Sequence, residues 1–282
     1  MRKTFMILML LLTVSVASAQ QKELYLLHTS DTHSRLEPLE TTSADRYRGM
    51  GGVARRTAYI KQMREQHPNL LLLDCGDISQ GTPYYNMFKG ELEVKAMNLM
   101  GYDAMTIGNH EFDFGLDNMA RIFSMAEFPI VCANYDFKGT VVEKLVKPYV
   151  ILKRDGLKIG IFGLSPELEG LVQASKCEGV AFKDPATAAN EMVKILRDKQ
   201  KCDVVICLSH LGYDYGDTPG QYSDNVVISK TRGIDVVLGG HSHTYMEKPV
   251  YIKDATGKSV TLFHTGKNGV FVGNYALTLN KK

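Results

Sequence analysis

The sequence lacks the features that mark several large classes of protein. Its 282 residues contain no internal repeat, no low-complexity tract and no Pro- or Ser-rich linker after residue 19. Hydrophobic residues make up 44% of the chain and charged residues 23%, which is a globular composition. Disordered, collagen-like and multi-span membrane chains are therefore excluded, and we expect one large domain over residues 20–282.

The chain also lacks an apolar run long enough to span a membrane. The basic residues Arg2 and Lys3 precede an apolar run from Phe5 to Val16, and Ala17-Ser18-Ala19 follows. A spanning helix needs about 18 or more apolar residues, whereas this pattern is typical of a cleaved secretory signal. We therefore predict a signal peptide over residues 1–19 and a secreted or periplasmic mature chain with no stable membrane anchor.

The predicted mature chain has no net charge. Residues 1–19 contain two basic and no acidic residues, so Lys+Arg falls from 33 to 31 against 31 Asp+Glu. Such a chain has no overall field to attract a nucleic-acid polymer or an anionic membrane surface. We expect neither as a partner.

The five cysteines form no Cys-x-x-Cys pair. Cys75, Cys132 and Cys207 lie in apolar, strand-like runs, which predicts buried thiols. Cys177 and Cys202 remain as a pair that could form a disulfide.

Strands and helices are predicted to alternate along most of the chain. Short apolar runs predict strands at 24–27, 70–73, 104–107, 130–131, 149–152, 158–163, 204–208 and 236–238. Helical spacing appears at 53–66, 92–100 and 185–199. The last stretch, 249–279, has strands joined by Gly-containing turns, so we expect a meander to close an α/β fold.

Metal-capable side chains follow five of the eight predicted strands that precede the closing meander. They occur in five segments, which are Asp31-Thr32-His33, Gly76-Asp77, Gly108-Asn109-His110-Glu111, Ser209-His210 and Gly240-His241-Ser242-His243. The carboxyl ends of parallel strands line one crevice, so these segments are expected to converge there. One Asp-x-His or Gly-Asp pair is a weak signal, but five in order use five of the eight histidines.

In this order, the five segments resemble the calcineurin-like metallophosphoesterases. The segments 27–38 (LHTSDTHSRLEP) and 108–113 (GNHEFD) resemble the 5′-nucleotidase branch, which includes UDP-sugar hydrolases and 2′,3′-cyclic nucleotide phosphodiesterases. The resemblance runs from about residue 23 to the end of the chain. It implies a four-layer α/β/β/α sandwich that carries two divalent metal ions.

The resemblance also implies a set of metal ligands. Asp31, His33 and His243 would bind one ion, Asn109, His210 and His241 the other, and Asp77 would bridge both. Carboxylate, imidazole and carboxamide donors suit Mn, Zn, Co or Fe, and the lack of cysteine among them disfavours a soft thiolate site. Two ions that share a carboxylate can stabilise both the attacking and the leaving oxygen of a phosphate ester.

The expected nucleophile is a hydroxide that bridges the two metals. By the same resemblance, His110 would neutralise the phosphoryl oxygens or protonate the leaving group, and Asp113 would orient its imidazole. For Asp113, the alternative is a carboxylate that stabilises the N-terminus of the following helix.

The leading hypothesis is an exported phosphatase that hydrolyses phosphate esters, most of all nucleotides. Alternatives are a phosphodiesterase or pyrophosphatase acting on cyclic nucleotides or nucleotide sugars, and a non-catalytic metal-binding subunit. Members of the branch with full nucleotidase activity have a C-terminal substrate-recognition domain. The chain would act either alone or with a separate chain that supplies this domain. Tyr84, Tyr85, Tyr213 and Tyr215 lie near the motifs and are candidates for a local stacking surface.

Overall fold

The computed structural model describes residues 21–42, 44–216, 218 and 221–280. The predicted signal peptide, residues 1–19, lies outside this range. Among the described residues, no helix is both long enough and apolar enough to cross a membrane.

Fourteen strands and six α-helices make up the described chain. The strands are β1 (Gln21–Thr29), β2 (Leu71–Asp74), β3 (Ala104–Thr106), β4 (Ile130–Val131), β5 (Tyr135–Asp136), β6 (Val146–Lys147), β7 (Tyr149–Arg154), β8 (Leu157–Leu164), β9 (Ala181–Phe182), β10 (Val204–Ser209), β11 (Val236–Gly239), β12 (Val250–Lys253), β13 (Ser259–His264) and β14 (Gly273–Asn280). The helices are α1 (Val53–Gln66), α2 (Pro83–Phe88), α3 (Glu91–Met100), α4 (Gly115–Phe123), α5 (Pro185–Lys194) and α6 (Asp224–Lys230). Short 3₁₀ turns lie at His110–Phe112 and Ala174–Lys176, and a π-helical turn, Ile195–Lys199, continues α5.

Twelve of these strands form two six-stranded sheets. The first has the order β14-β1-β2-β3-β4-β6, in which only β14 is antiparallel to its neighbour. The second has the order β12-β13-β11-β10-β8-β7, with β8, β10, β11 and β13 parallel and the two edge strands antiparallel. Strands β5 and β9 form a separate antiparallel pair.

The sheets pack face to face between two layers of helices. Alternate residues of β2 divide between the two cores, because successive side chains of a strand point to opposite faces. Leu71 and Leu73 belong to the core that contains the second sheet, α5 and α6. Leu72, together with Leu70 just before β2, belongs to the core that contains α1, α3 and α4. The predicted four-layer α/β/β/α sandwich is therefore confirmed.

Local sequence explains where the helices begin. The Asp184 side chain accepts a hydrogen bond from the Thr187 backbone N–H (2.6 Å), and Pro185 occupies the first turn of α5. Both choices suit a helix N-terminus, because the first N–H groups have no partner within the helix.

The predicted closing meander is wrong in one respect. Strands β12 and β13 form the expected hairpin around the turn at 255–257, but β13 lies parallel to β11 and β14 leaves for the other sheet. There β14 pairs along β1, from Gln21 opposite Asn280 to His28 opposite Gly273. The last strand, β14, thus pairs with the edge of β1, and the chain from β13 to β14 connects the second sheet to the first.

All five cysteines are free. Cys75, Cys132 and Cys207 are buried as predicted, and burial raises the pKa of each thiol. The Cys177–Cys202 disulfide that the sequence left open does not form, since Cys177 is half-buried beside the 3₁₀ turn at 174–176 whereas Cys202 lies in the core under α5.

Gly163 of β8 allows a close approach between the two sheets. A Cβ atom there would collide with the Val131 carbonyl oxygen and the Thr106 hydroxyl of the first sheet. We predict that Gly163→Ala lowers the free energy of unfolding by about 3 kcal/mol, because the obstacle is strand backbone that cannot move aside. Denaturant unfolding measures the loss.

Gly160→Ala is the matched control on the same strand. Its added methyl would meet the end of the Leu196 side chain at 2.7 Å, and that side chain can rotate. We expect a loss of about 1 kcal/mol. Equal losses at the two positions would contradict the close approach of the sheets.

Candidate metal centre

The five predicted segments converge at the carboxyl ends of strands from both sheets. Their side chains form two groups, Asp31 with His33 and His243, and Asp77 with His210 and His241. Within each group the ligand atoms all lie within 4.8 Å of one another. The grouping of these six residues agrees with the ligand sets that the resemblance implied.

The chain adopts a strained backbone at most of these positions. Asp31, His33, Asp77, His241 and His243 all have φ between 46° and 73°. The left-handed region costs a non-glycine residue roughly 1–2 kcal/mol, and such residues cluster at functional sites. The fold therefore holds these five side chains in place against their backbone preference.

Backbone hydrogen bonds between loops impose this conformation. The Asp31 N–H donates to the Gly76 carbonyl oxygen (2.9 Å), and the His33 N–H donates to the Asp77 carbonyl oxygen (3.1 Å). The loop after β1 is thereby held against the loop after β2. The His241 N–H donates to the Asp31 carboxylate at 3.0 and 3.1 Å and joins the second sheet to the first.

Glu111 orders the loop after β3. Its buried carboxylate accepts hydrogen bonds from the N–H groups of Gly108 (2.6 Å), Asp77 (2.9 Å) and Ser79 (3.3 Å). At Gly108 a Cβ atom would collide with the Asp77 carboxylate. Glycine is needed there so that Asp77 can lie against the next loop.

The contacts among the donor atoms are better suited to metal ions than to hydrogen bonds between the side chains. The Nε2 atoms of His33 and His243 lie 2.9 Å apart. The Asn109 Oδ1 atom is buried and has no hydrogen-bond partner among the described residues. Buried polar atoms are rarely left without a partner, and nitrogen and oxygen donors at this spacing suit a divalent cation. The residues present therefore fit two metal ions.

Burial keeps two of the imidazoles in the neutral form that binds metals. It lowers the pKa of His241 to about 4, aided by the charge of His210, and that of His243 to about 4, aided by His33. For His210 burial is outweighed by the carboxylates of Asp77 and Asp31, which raise its pKa to about 10. Its Nε2 lies 3.0 Å from Asp77 Oδ2, so a metal ion would take the place of a proton there.

The two carboxylates differ because His210 Nε2 lies closer to Asp77 Oδ2, at 3.0 Å, than to Asp31 Oδ1, at 3.9 Å. Burial raises the pKa of Asp31 to about 7. Burial acts on Asp77 in the same direction, but the adjacent His210 outweighs it and holds the pKa of Asp77 below its usual range. The charge of His210 thus favours the ionised form of Asp77.

His110 lies beside the two groups and is paired with Asp113. Its Nδ1 lies 3.2 Å from both carboxylate oxygens of Asp113, and its ring centroid is 5.6 Å from that of His33. Burial lowers the pKa of His110, but the Asp113 hydrogen bond and the charge of Asp77 outweigh burial and raise the pKa above its usual value. The helix α4 begins only at Gly115, so Asp113 precedes its first turn.

A buried polar network behind the ligands has no motif in the sequence. His264 Nε2 lies 2.7 Å from Asp224 Oδ2, and the other oxygen of Asp224 accepts a hydrogen bond from the Ser209 hydroxyl. Ser209 Oγ in turn accepts from the Leu211 N–H at 3.2 Å. Ser209 and Leu211, which belong to this network, flank His210 in the chain. The one sequence signal near it is Ser223, which caps the N-terminus of α6 just before Asp224.

The four tyrosines proposed for stacking do not share one surface. Tyr85 is buried against Phe114, and Tyr213 packs edge-on against His264. The Tyr84 hydroxyl donates to Glu37 (3.4 Å), and Tyr215 lines a cavity on the His241 side. The expectation of one tyrosine surface is therefore wrong.

Known proteins resemble this chain over most of its described length. The sequence profile of the calcineurin-like phosphoesterases matches residues 24–245. A 5′-nucleotidase of Diplobatis ommata is 34% identical over 97% of this chain and 44% of its own, and the human 5′-nucleotidase is 37% identical over 79% and 38%. The trifunctional nucleotide phosphoesterase YfkN of Bacillus subtilis is 30% identical over 92% of this chain and 18% of its own.

A solved structure gives the same result for the fold. The 5′-nucleotidase precursor of Thermus thermophilus superposes with a TM-score of 0.82 and 34% identity, over 92% of this chain and 52% of the other. The chain thus spans about half or less of the lengths of these relatives. By its sequence profile and its fold, the chain belongs to the calcineurin-like phosphoesterase family.

Proposed function

We propose that this chain is an exported dinuclear-metal phosphatase that hydrolyses phosphate monoesters, with nucleoside monophosphates as its main substrates. One observation carries the proposal. Two groups of nitrogen and oxygen donors lie side by side at the ends of both sheets, with the non-ligand pair His110 and Asp113 beside them. Export rests on the signal-peptide pattern of residues 1–19, and it places the mature chain outside the cytoplasm.

Seven residues would hold the two ions. Asp31, His33 and His243 form one set, Asn109, His210 and His241 the other, and Asp77 joins the two. When bound, two divalent ions supply positive charge to the phosphoryl oxygens and make water a competent nucleophile at neutral pH. The lack of a nearby thiolate favours Mn, Zn, Co or Fe over softer metals.

His110 would supply the proton that the leaving alcohol needs. As water adds to phosphorus and the ester P–O bond breaks, the departing oxygen takes a proton from the imidazolium of His110. Asp113 engages Nδ1, which directs Nε2 towards the substrate and favours the protonated ring. The catalytic roles of these two side chains follow from their position and their pairing.

Two observations bear on the alternatives. A metal-binding subunit without activity has no use for His110 and Asp113, because neither belongs to the two ligand groups. The named activities of the relatives favour nucleotides, and YfkN, named a trifunctional nucleotide phosphoesterase, supports other nucleotide phosphoesters as the second candidate. More of the named relatives are 5′-nucleotidases, which favours nucleoside monophosphates as substrates.

A substrate screen decides between the two candidates. We predict that the metal-loaded chain hydrolyses nucleoside monophosphates with a higher kcat/KM than 2′,3′-cyclic nucleotides or nucleotide sugars, because a monoester offers two ionised phosphoryl oxygens to the two ions, whereas each phosphorus of the other substrates offers one. Phosphate release measures the rates. A higher kcat/KM for the diesters would instead support the phosphodiesterase.

Metal dependence tests the mechanism. We predict that removal of metals by a chelator abolishes hydrolysis and that Mn²⁺, Co²⁺ or Zn²⁺ restores it, because the proposed nucleophile is water activated by the two ions. Undiminished turnover in a preparation shown by elemental analysis to be metal-free would contradict the proposal.

Substitutions should separate the metal ligands from the proton donor. Asp77→Ala removes the shared carboxylate, so we expect it to lower both the metal content and the rate. His110→Ala should retain both metals and lose about 10²–10⁴-fold in turnover. Elemental analysis beside the kinetics measures both quantities. Loss of metal from His110→Ala would show that His110 is a ligand.

A further inference from the structure

A cavity of about 300 Å³ adjoins the metal centre on the His243 side. Three aromatic residues line it, Tyr47, Tyr245 and Phe271, and His243 forms part of the same wall. We call these three residues the ring cluster. They come from three separate segments of the chain, so no local sequence motif predicts that they lie together.

The ring cluster is ordered before any ligand arrives. Tyr245 and Phe271 are stacked, with centroids 4.1 Å apart and an angle of 26° between the rings. Tyr47 meets Phe271 edge-on at 5.0 Å. Even so, Tyr245 stays 39% exposed, which is a large apolar surface to leave at the rim of a polar site.

The cluster is also fastened to the ligand loops. Tyr245 lies two residues after His243 and forms a β-bridge with Thr265. The Gly266 N–H donates to the Thr244 carbonyl oxygen (2.8 Å), and the Asn268 N–H donates to that of Asp31 (2.7 Å). The rings therefore keep a constant position relative to the ligands.

Charge distinguishes this cavity from the one on the other side of the centre. Two basic residues line the cavity on the His243 side, Arg46, which lies 4.5 Å above the Tyr47 ring, and the exposed Lys267, against one acidic residue, Asp45. The cavity on the His241 side, about 330 Å³, contains Glu167 and Glu169. An anionic ester with a planar group would be repelled by the second cavity and accepted by the first.

We propose that the ring cluster is the stacking site for the base of a nucleoside monophosphate whose phosphate lies at the metal centre. The inference rests on the proposed function and adds to it the part of the molecule that selects the substrate. A purine or pyrimidine presents a flat π-face to the exposed side of Tyr245, and stacking of this kind tolerates any base. The cavity has the size usual for small-molecule sites.

The kinetic test compares two esters that share one leaving alcohol. Adenosine 5′-monophosphate and ribose 5-phosphate both release a ribose 5′-oxygen, but only the first has a base. We expect Tyr245→Leu to lower kcat/KM about 10–100-fold for the first and to leave the second unchanged. Tyr215→Leu, in the opposite cavity, is the matched control and should change neither. A loss of the preference in Tyr215→Leu and not in Tyr245→Leu would overturn the proposal.

A binding test does not depend on catalysis. The sequence contains no tryptophan, so Phe271→Trp introduces a unique tryptophan into the ring cluster, and its emission can be excited selectively over that of the tyrosines. Adenosine should quench its emission saturably, ribose should not, and a second substitution, Tyr245→Leu, should weaken adenosine binding about 10-fold or more. Absence of saturable quenching, or quenching unaffected by Tyr245→Leu, would overturn the proposal.

Together the tests separate this inference from the function on which it rests. Hydrolysis of both esters at equal kcat/KM, with no effect of Tyr245→Leu, would refute the stacking site and leave the phosphatase intact. Saturable quenching by adenosine in a metal-loaded chain that hydrolyses neither ester would refute the phosphatase and support the stacking site.

Discussion

The buried side chain and backbone of Asp77 hold the candidate site together. Its carbonyl oxygen accepts from the His33 N–H, its own N–H donates to Glu111, and its Oδ1 accepts from the His110 N–H. Its Oδ2 faces His210, which belongs to the other sheet. Loops that follow β1, β3 and β10 therefore all meet at this one residue, through its backbone or its carboxylate, and its placement determines theirs.

This arrangement concentrates unfavourable features that a bound cation would relieve. Left-handed backbone at the ligand positions, ring nitrogens that face one another and a carboxamide oxygen without a partner each destabilise the metal-free chain. The two cores on either side of the first sheet supply the stability that holds the loops in place. Function at this site thus depends on packing far from it, including the contact that Gly163 allows.

Local sequence predicted what local chemistry decides. Asp31, His33 and the other ligand residues each follow a short apolar strand, and parallel strands bring their carboxyl ends together, so the convergence could be foreseen. Strand β14 could not, because the turn at 267–269 is equally suited to a hairpin and only the free edge of β1 decides the pairing. The Ser209–Asp224–His264 network and the ring cluster could not be predicted either, because each joins segments that are far apart in sequence. Tyr84 and Tyr213 were candidates for stacking because they lie near sequence motifs, whereas Tyr47 and Phe271 lie in loops without a motif.

Anomalous diffraction from crystals soaked in Mn²⁺ or Zn²⁺ tests the central claim most directly, because it locates metal ions without reference to activity. The account predicts two peaks, one among Asp31, His33 and His243 and one among Asn109, His210 and His241, with Asp77 contacting both. A single peak, or two peaks of which Asp77 touches at most one, would contradict it.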